Sequence, residues 1–116
     1  MLGIDLLEVD RMEAALARTP SLKARLFTDA EQAYADAQAV PARSYAARFC
    51  AKEAVVKALR LESWDAREIE VVHGPTGAPE IVLHGSLEGR GRVEVSITHT
   101  KLAAAAVAML VPVTPS

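Results

Sequence analysis

The chain has 116 residues and a formal net charge of −2, and it is 51% hydrophobic but only 4% aromatic. A domain of this length buries a modest core, and one packed mainly from Ala, Leu and Val is expected to gain from oligomerisation. The charge excludes a nucleic-acid binder working through bulk positive potential, and Cys50, the only cysteine, excludes an intramolecular disulfide.

Leu2 to Val9 is rich in Leu, Ile and Val and reads as a strand with Asp5 in its middle. The start carries no basic n-region ahead of that carboxylate and is not read as a signal peptide. Asp10 is expected to cap a helix through Met12, Ala15 and Leu16 that ends at Pro20. Ser21 then opens a short helical turn holding Leu22, Leu26 and Phe27. Thr28-Asp-Ala-Glu31 matches a capping box and predicts a helix to about Val40, broken by Pro41. Arg43 to Leu61 has no Gly or Pro and is alanine-rich, which predicts the principal helix.

Beyond Trp64 the period changes. Ile69 and Val71, then Ile81 and Leu83, alternate with polar residues around Gly74-Pro-Thr-Gly77, which predicts a hairpin. Gly85 to Arg92 reads as a polar connection, and Val93, Val95 and Ile97 alternate along a strand ending at His99. Leu102 to Val111 is ambiguous: its alanines favour helix, while Val107, Leu110 and Val111 suit a buried strand. That run falls far short of membrane-spanning length, so a cytoplasmic protein is expected. The elements together predict one α+β domain over 1–116, an antiparallel sheet packed on one long helix plus short helices, with 112–116 a frayed tail.

Charge is clustered. Arg11, Arg18, Lys23 and Arg25 form one basic stretch, and Arg43, Arg48, Lys52, Lys57 and Arg60 a second, which suggests specific anionic partners or, more plainly, solvated helix faces. On the principal helix Glu53, Lys57 and Arg60 share a stripe, flanked by Phe49 and Val56 on one side and Cys50 and Leu61 on the other. An i,i+4 Glu–Lys pair is commonly no more than a weak surface contact. Asp5 adds a second carboxylate from a strand expected to pack on that helix. Two such carboxylates can hold a magnesium ion, with a lysine and an arginine for substrate phosphates. Glu8 lies on the opposite strand face from Asp5. His99, ending its strand, reads by itself as structural, and His73 and His84 as surface residues. One cysteine and three scattered histidines make no zinc set.

Gly3-Ile-Asp5-Leu-Leu-Glu-Val-Asp-Arg11, Arg25-Leu-Phe-Thr-Asp-Ala-Glu31, Arg48-Phe-Cys-Ala-Lys-Glu-Ala-Val-Val-Lys-Ala-Leu59, Gly77-Ala-Pro79 and Ser96-Ile-Thr-His-Thr100 follow one another along nearly the whole chain. In this order they resemble the holo-acyl-carrier-protein synthase group of 4′-phosphopantetheinyl transferases. The resemblance implies transfer of phosphopantetheine from coenzyme A to a serine of an apo acyl carrier protein, with release of 3′,5′-ADP. It implies that Asp5 and Glu53 hold Mg2+, that Glu53 is a candidate base, and that Lys57 steadies the diphosphate. Arg48 and His99 would line the coenzyme A pocket, Arg48 at the nucleotide end. Arg11 would meet the acidic helix of the carrier, with Arg18, Lys23 and Arg25 as looser neighbours. The group is typically trimeric with sites at subunit interfaces, and it places Leu102 to Val111 in a strand. Cys50 stands where the group usually has alanine and Arg60 where it usually has glycine. Two other readings compete: a catalytically silent scaffold of the same fold, and a non-enzymatic binder of nucleotides or acidic proteins. The carrier itself would serve fatty-acid or polyketide synthesis.

Overall fold

The computed structural model describes residues 1–112; beyond Pro112, the expected frayed tail lies outside the described residues. Strand β1 (Leu2–Glu8) runs into helix α1 (Val9–Arg18), followed by α2 (Leu22–Leu26), α3 (Asp29–Asp36) and the long α4 (Pro41–Leu59). A 3-10 turn at Ala66–Glu68 leads into the hairpin of β2 (Ile69–His73) and β3 (Pro79–Leu83), and β4 (Arg92–His99) and β5 (Ala103–Val111) complete the chain. The three-stranded sheet has the order β1-β5-β4 and is antiparallel throughout; β2 and β3 form a second, two-stranded sheet.

The alanine-rich segment is therefore strand, against its local propensity. Ala104, Ala106 and Ala108 alternate inward, at 1%, 3% and 0% exposure, onto the small residues Cys50, Ala51, Ala54 and Ala58 of α4. Small side chains on both surfaces let helix and sheet approach closely. Gly3 takes this furthest: a Cβ there would collide with the Ala54 carbonyl oxygen and lie 2.8 Å from Ala58 N and Lys57 Cβ. Among the described residues half of the buried apolar ones are alanine, so the thin core expected from composition is present.

Helix α4 is buried nearly all round, with the main sheet on one side and α1, α3 and β2 on others, as a central helix should be. Pro41 does not end the preceding helix, which stops at Asp36; it sits at the first position of α4, where its missing N–H costs nothing. Asp10 is not the cap of α1; the helix begins at Val9, and Asp10 sits in its first turn, where a carboxylate still favours the positive helix end. Helix α3 stops at Asp36, short of Val40, but its predicted capping box is present. Glu31 N meets Thr28 Oγ1 at 3.2 Å and Thr28 N meets Glu31 Oε1 at 2.8 Å.

Lys52 leaves the anion-binding set. It is wholly buried, and its ammonium donates to Glu31 Oε1 at 2.8 Å and to the Ala66 and Ile69 carbonyls at 2.7 and 2.6 Å. Glu31 Oε2 accepts from Val71 N at 2.9 Å. All three ammonium protons are used in joining α3, α4, the 3-10 turn and β2. Burial pushes the Lys52 amine below its usual value, and Glu31 opposes that fall.

The other face of the main sheet is open. Leu2, Ile4 and Leu6 point outward at 67–70% exposure beside Val107 and Met109 of β5, an apolar stripe on the side away from α4.

Candidate active site

The alternation that buries Gly3 and turns Leu2, Ile4 and Leu6 outward turns Asp5 toward α4. Its carboxylate lies 3.3 Å from Lys57 Nζ, which also donates to the Ile4 carbonyl at 2.8 Å. The Asp5 side chain is only 19% exposed, whereas Lys57 is half exposed, so the pair sits at the rim between β1 and α4. One helical turn before Lys57, Glu53 joins the same locus. Burial raises the Glu53 carboxyl above its ordinary range, the negative charge of Asp5 raises it further, and Lys57 only partly offsets both. The Cys50 thiol is pushed up to about 12, first by burial and then by Asp5 and Glu53. It is itself buried and donates to the Ala104 carbonyl at 3.3 Å.

Two carboxylates thus share a partly desolvated site with one ammonium. The local charge is short of a cation, and the raised proton affinity of Glu53 follows from that excess of negative charge and from burial. Among the described residues no three His, Cys, Asp or Glu side chains converge on a point. A two-carboxylate donor set suits magnesium, which keeps several waters and takes the rest of its shell from substrate phosphates. Glu8 ends β1 exposed, one position out of phase with Asp5, and stays outside the locus.

Arg48 and His99 meet elsewhere. A cleft of about 360 Å³ is lined by Tyr34, Arg43, Ser44, Arg48, His73 and His99 among others; Asp5, Glu53 and Lys57 do not line it. Arg48 is 6% exposed, donates to Ser44 Oγ at 3.1 Å and has its guanidinium 4.0 Å from the centre of the Tyr34 ring. Its Nε, and that of Arg43, are buried without a partner among the described residues. Burial pulls the Arg48 guanidinium below its usual range, with Tyr34 and Glu31 acting in opposition. Buried donors left unmade cost about 1–3 kcal/mol each, so an anion in this cleft would be well received. Within one chain, then, the residues expected to act together form two groups: Asp5, Glu53 and Lys57 at the β1–α4 rim, and Arg48 with His99 in the cleft.

The third expected group is spread over the N-terminal helices. Arg11 and Arg18 are exposed and seven residues apart on α1, hence on one face, and Arg25 is exposed on α2. Lys23 is partly engaged, pairing with Asp36 at 3.1 Å and lying 5.1 Å from the Tyr45 ring centre. Arg60 is exposed at the end of α4 in a left-handed conformation.

Sequence reading passed over Tyr34, and His73, though exposed, lines the cleft with its ring 4.6 Å from that of Tyr34. Nothing in their local spacing pointed there, since each comes from a separate element. His84 is more than a surface residue: its Nε2 lies 2.9 Å from Glu70 Oε1, and Thr28 Oγ1 donates to Glu70 Oε2 at 2.7 Å.

A family model described as the 4′-phosphopantetheinyl transferase superfamily matches residues 1–108. A holo-[acyl-carrier-protein] synthase of Moorella thermoacetica is 42% identical over 118 residues, covering 93% of this chain and 91% of that protein. The crystal structure of the Bacillus anthracis holo-(acyl-carrier-protein) synthase in complex with CoA (3′,5′-ADP) aligns with a TM-score of 0.79 at 29% identity, over 94% of this chain and 93% of that one. The Helicobacter pylori holo-[acyl-carrier-protein] synthase in complex with coenzyme A gives 0.84 at 25% identity, over 96% and 100%.

Proposed function

The chain belongs to the 4′-phosphopantetheinyl transferase superfamily, and from this premise we propose how its residues divide the work of a holo-[acyl-carrier-protein] synthase. The enzyme transfers 4′-phosphopantetheine from coenzyme A to a serine of an apo acyl carrier protein and releases 3′,5′-ADP. The serine oxygen bonds to the β-phosphorus, the bond from that phosphorus to the bridging oxygen breaks, and the serine proton leaves to a base. Glu53 takes that proton, directly or through water; burial and the neighbouring Asp5 charge raise its proton affinity, which is the direction a carboxylate base needs. Asp5 and Glu53 would hold Mg2+, which neutralises charge on the diphosphate when bound. Lys57, already beside Asp5, steadies the negative charge that grows on the leaving oxygen. Arg48 and His99 receive the nucleotide end of coenzyme A in the cleft, where the buried guanidinium has an Nε–H without a partner among the described residues.

The carrier's acidic surface docks on Arg11 and Arg18, with Lys23 and Arg25 at the edge. The enzyme works as a single domain over 1–116, in the cytoplasm, as a trimer whose subunits share sites, and its carrier serves fatty-acid or polyketide synthesis. Two observations support the shared site: the two groups of site residues are separate within one chain, and the apolar stripe of Leu2, Ile4 and Leu6 calls for cover. Among the described residues no helix is long and apolar enough to cross a membrane.

The observation that carries the residue assignment is the approach of Asp5, Glu53 and Lys57 between β1 and α4. A silent scaffold has no reason to keep two partly desolvated carboxylates together, and a simple nucleotide binder would need only the cleft. Incubation with coenzyme A, Mg2+ and an apo acyl carrier protein should add the phosphopantetheine mass to the carrier. No mass increment across several carriers would favour the scaffold reading.

A further inference from the structure

Arg48 is held by an aromatic ring that comes from a different part of the chain. Tyr34 lies on α3 and Arg48 on α4, yet the guanidinium sits 4.0 Å from the ring centre, and His73, the last residue of β2, brings its own ring to 4.6 Å. Tyr34 is 40% exposed, at a cleft lined by all three residues. An aromatic left that far out of the core adds little to packing, so a second role is called for. Arg48, by contrast, is 6% exposed with one side-chain hydrogen bond, to Ser44, and a buried Nε without a partner among the described residues. Its fork is thus short of acceptors and faced by a π-surface. That surface attracts the cation without consuming any N–H.

We propose that Tyr34 is a positioning residue for coenzyme A: it fixes the Arg48 guanidinium in the cleft with its donors free for phosphate oxygens of the nucleotide end. This rests on the reading of the cleft given above. An arginine otherwise free in several rotamers loses that freedom when it binds, whereas one already held against a ring loses less. The energy gained is ground-state binding of a remote part of the substrate, so it belongs in KM rather than in kcat. The contact invoked is that of the guanidinium with the face of the ring.

The test is steady-state transfer to an apo carrier, with coenzyme A and, separately, 3′-dephospho-coenzyme A as donor. Tyr34→Ala should raise KM for coenzyme A roughly tenfold with kcat within about twofold of wild type, the size of a desolvated cation–π contact. Tyr34→Phe should keep the wild-type KM. The preference for coenzyme A over the dephospho form should shrink in Tyr34→Ala, because the free guanidinium discriminates less well. Tyr34→Leu, which fills the space without a π-cloud, should behave like the alanine variant and carries the test if the latter does not fold. A folded Tyr34→Leu with wild-type KM, or a fall in kcat at unchanged KM, overturns the proposal. Absence of transfer by the wild-type enzyme would instead overturn the underlying reading, so the two failures are separable.

Discussion

Gly3→Ala is a single methyl group, and it should damage the enzyme in two measurable ways. The added carbon would enter the Ala54 carbonyl oxygen and stand 2.8 Å from Ala58 N and Lys57 Cβ. These atoms belong to the body of a buried helix and cannot rotate aside, so β1 must move away from α4 by about 1 Å or more to restore ordinary contact. Overpacking of this kind costs about 1–3 kcal/mol, and a backbone collision belongs at the upper end. Asp5 is two residues further on the same strand and moves with it, leaving the 3.3 Å contact with Lys57 and the shared field with Glu53. A displacement near 1 Å at reacting groups costs about 100-fold in rate. Urea denaturation should therefore show a loss of about 3 kcal/mol. The initial rate of carrier modification, followed by mass at a temperature where the variant is folded, should drop about 100-fold. A variant with wild-type stability and rate would refute the idea that this close approach sets the position of Asp5.

Lys52→Met should cost about 3–5 kcal/mol in urea denaturation, because it leaves Glu31 buried without its cation and two carbonyls without a donor; a loss below about 1 kcal/mol would mean the pair is not structural. Arg60→Gly should stabilise by about 1 kcal/mol, since Arg60 holds φ 55° and ψ 47° at the end of α4, a conformation glycine adopts without steric cost. A loss of stability there would show that the Arg60 side chain makes a compensating contact. Arg11→Glu should raise KM for the carrier roughly tenfold and leave KM for coenzyme A alone. A change in coenzyme A affinity instead would move Arg11 into the other site.

Local rules made much of this legible. Thr28 and Glu31 cap each other because the signature is contained in four residues, and Val93, Val95 and Ile97 alternate as a strand because the period is itself the burial pattern. Glu53 and Lys57 are joined by helical spacing alone. Ala103 to Val111 was opaque for the opposite reason: alanine's helix preference is a few tenths of a kcal/mol per residue, and packing of Ala104, Ala106 and Ala108 on α4 outweighs it. Pairings across distant elements leave no local trace. Lys52 sits in a run of basic residues that reads as one cluster, yet its partner is 21 residues away and its role is to hold the fold together. Tyr34 and Arg48 come together only once α3 has folded against α4. The division of the expected site into a rim and a cleft is likewise a matter of which face of α4 each residue occupies relative to the sheet.

The most direct measurement is the metal dependence of transfer in the wild-type enzyme and in Asp5→Asn and Glu53→Gln. The phosphopantetheine mass increment should vanish with a chelator and return with Mg2+ in the wild type, whereas both variants, folded as judged by circular dichroism, should transfer severely less at any Mg2+ concentration. Wild-type turnover by either variant, or full transfer by the native enzyme in excess chelator, would contradict the assignment of Asp5 and Glu53 as the carboxylates that hold the metal.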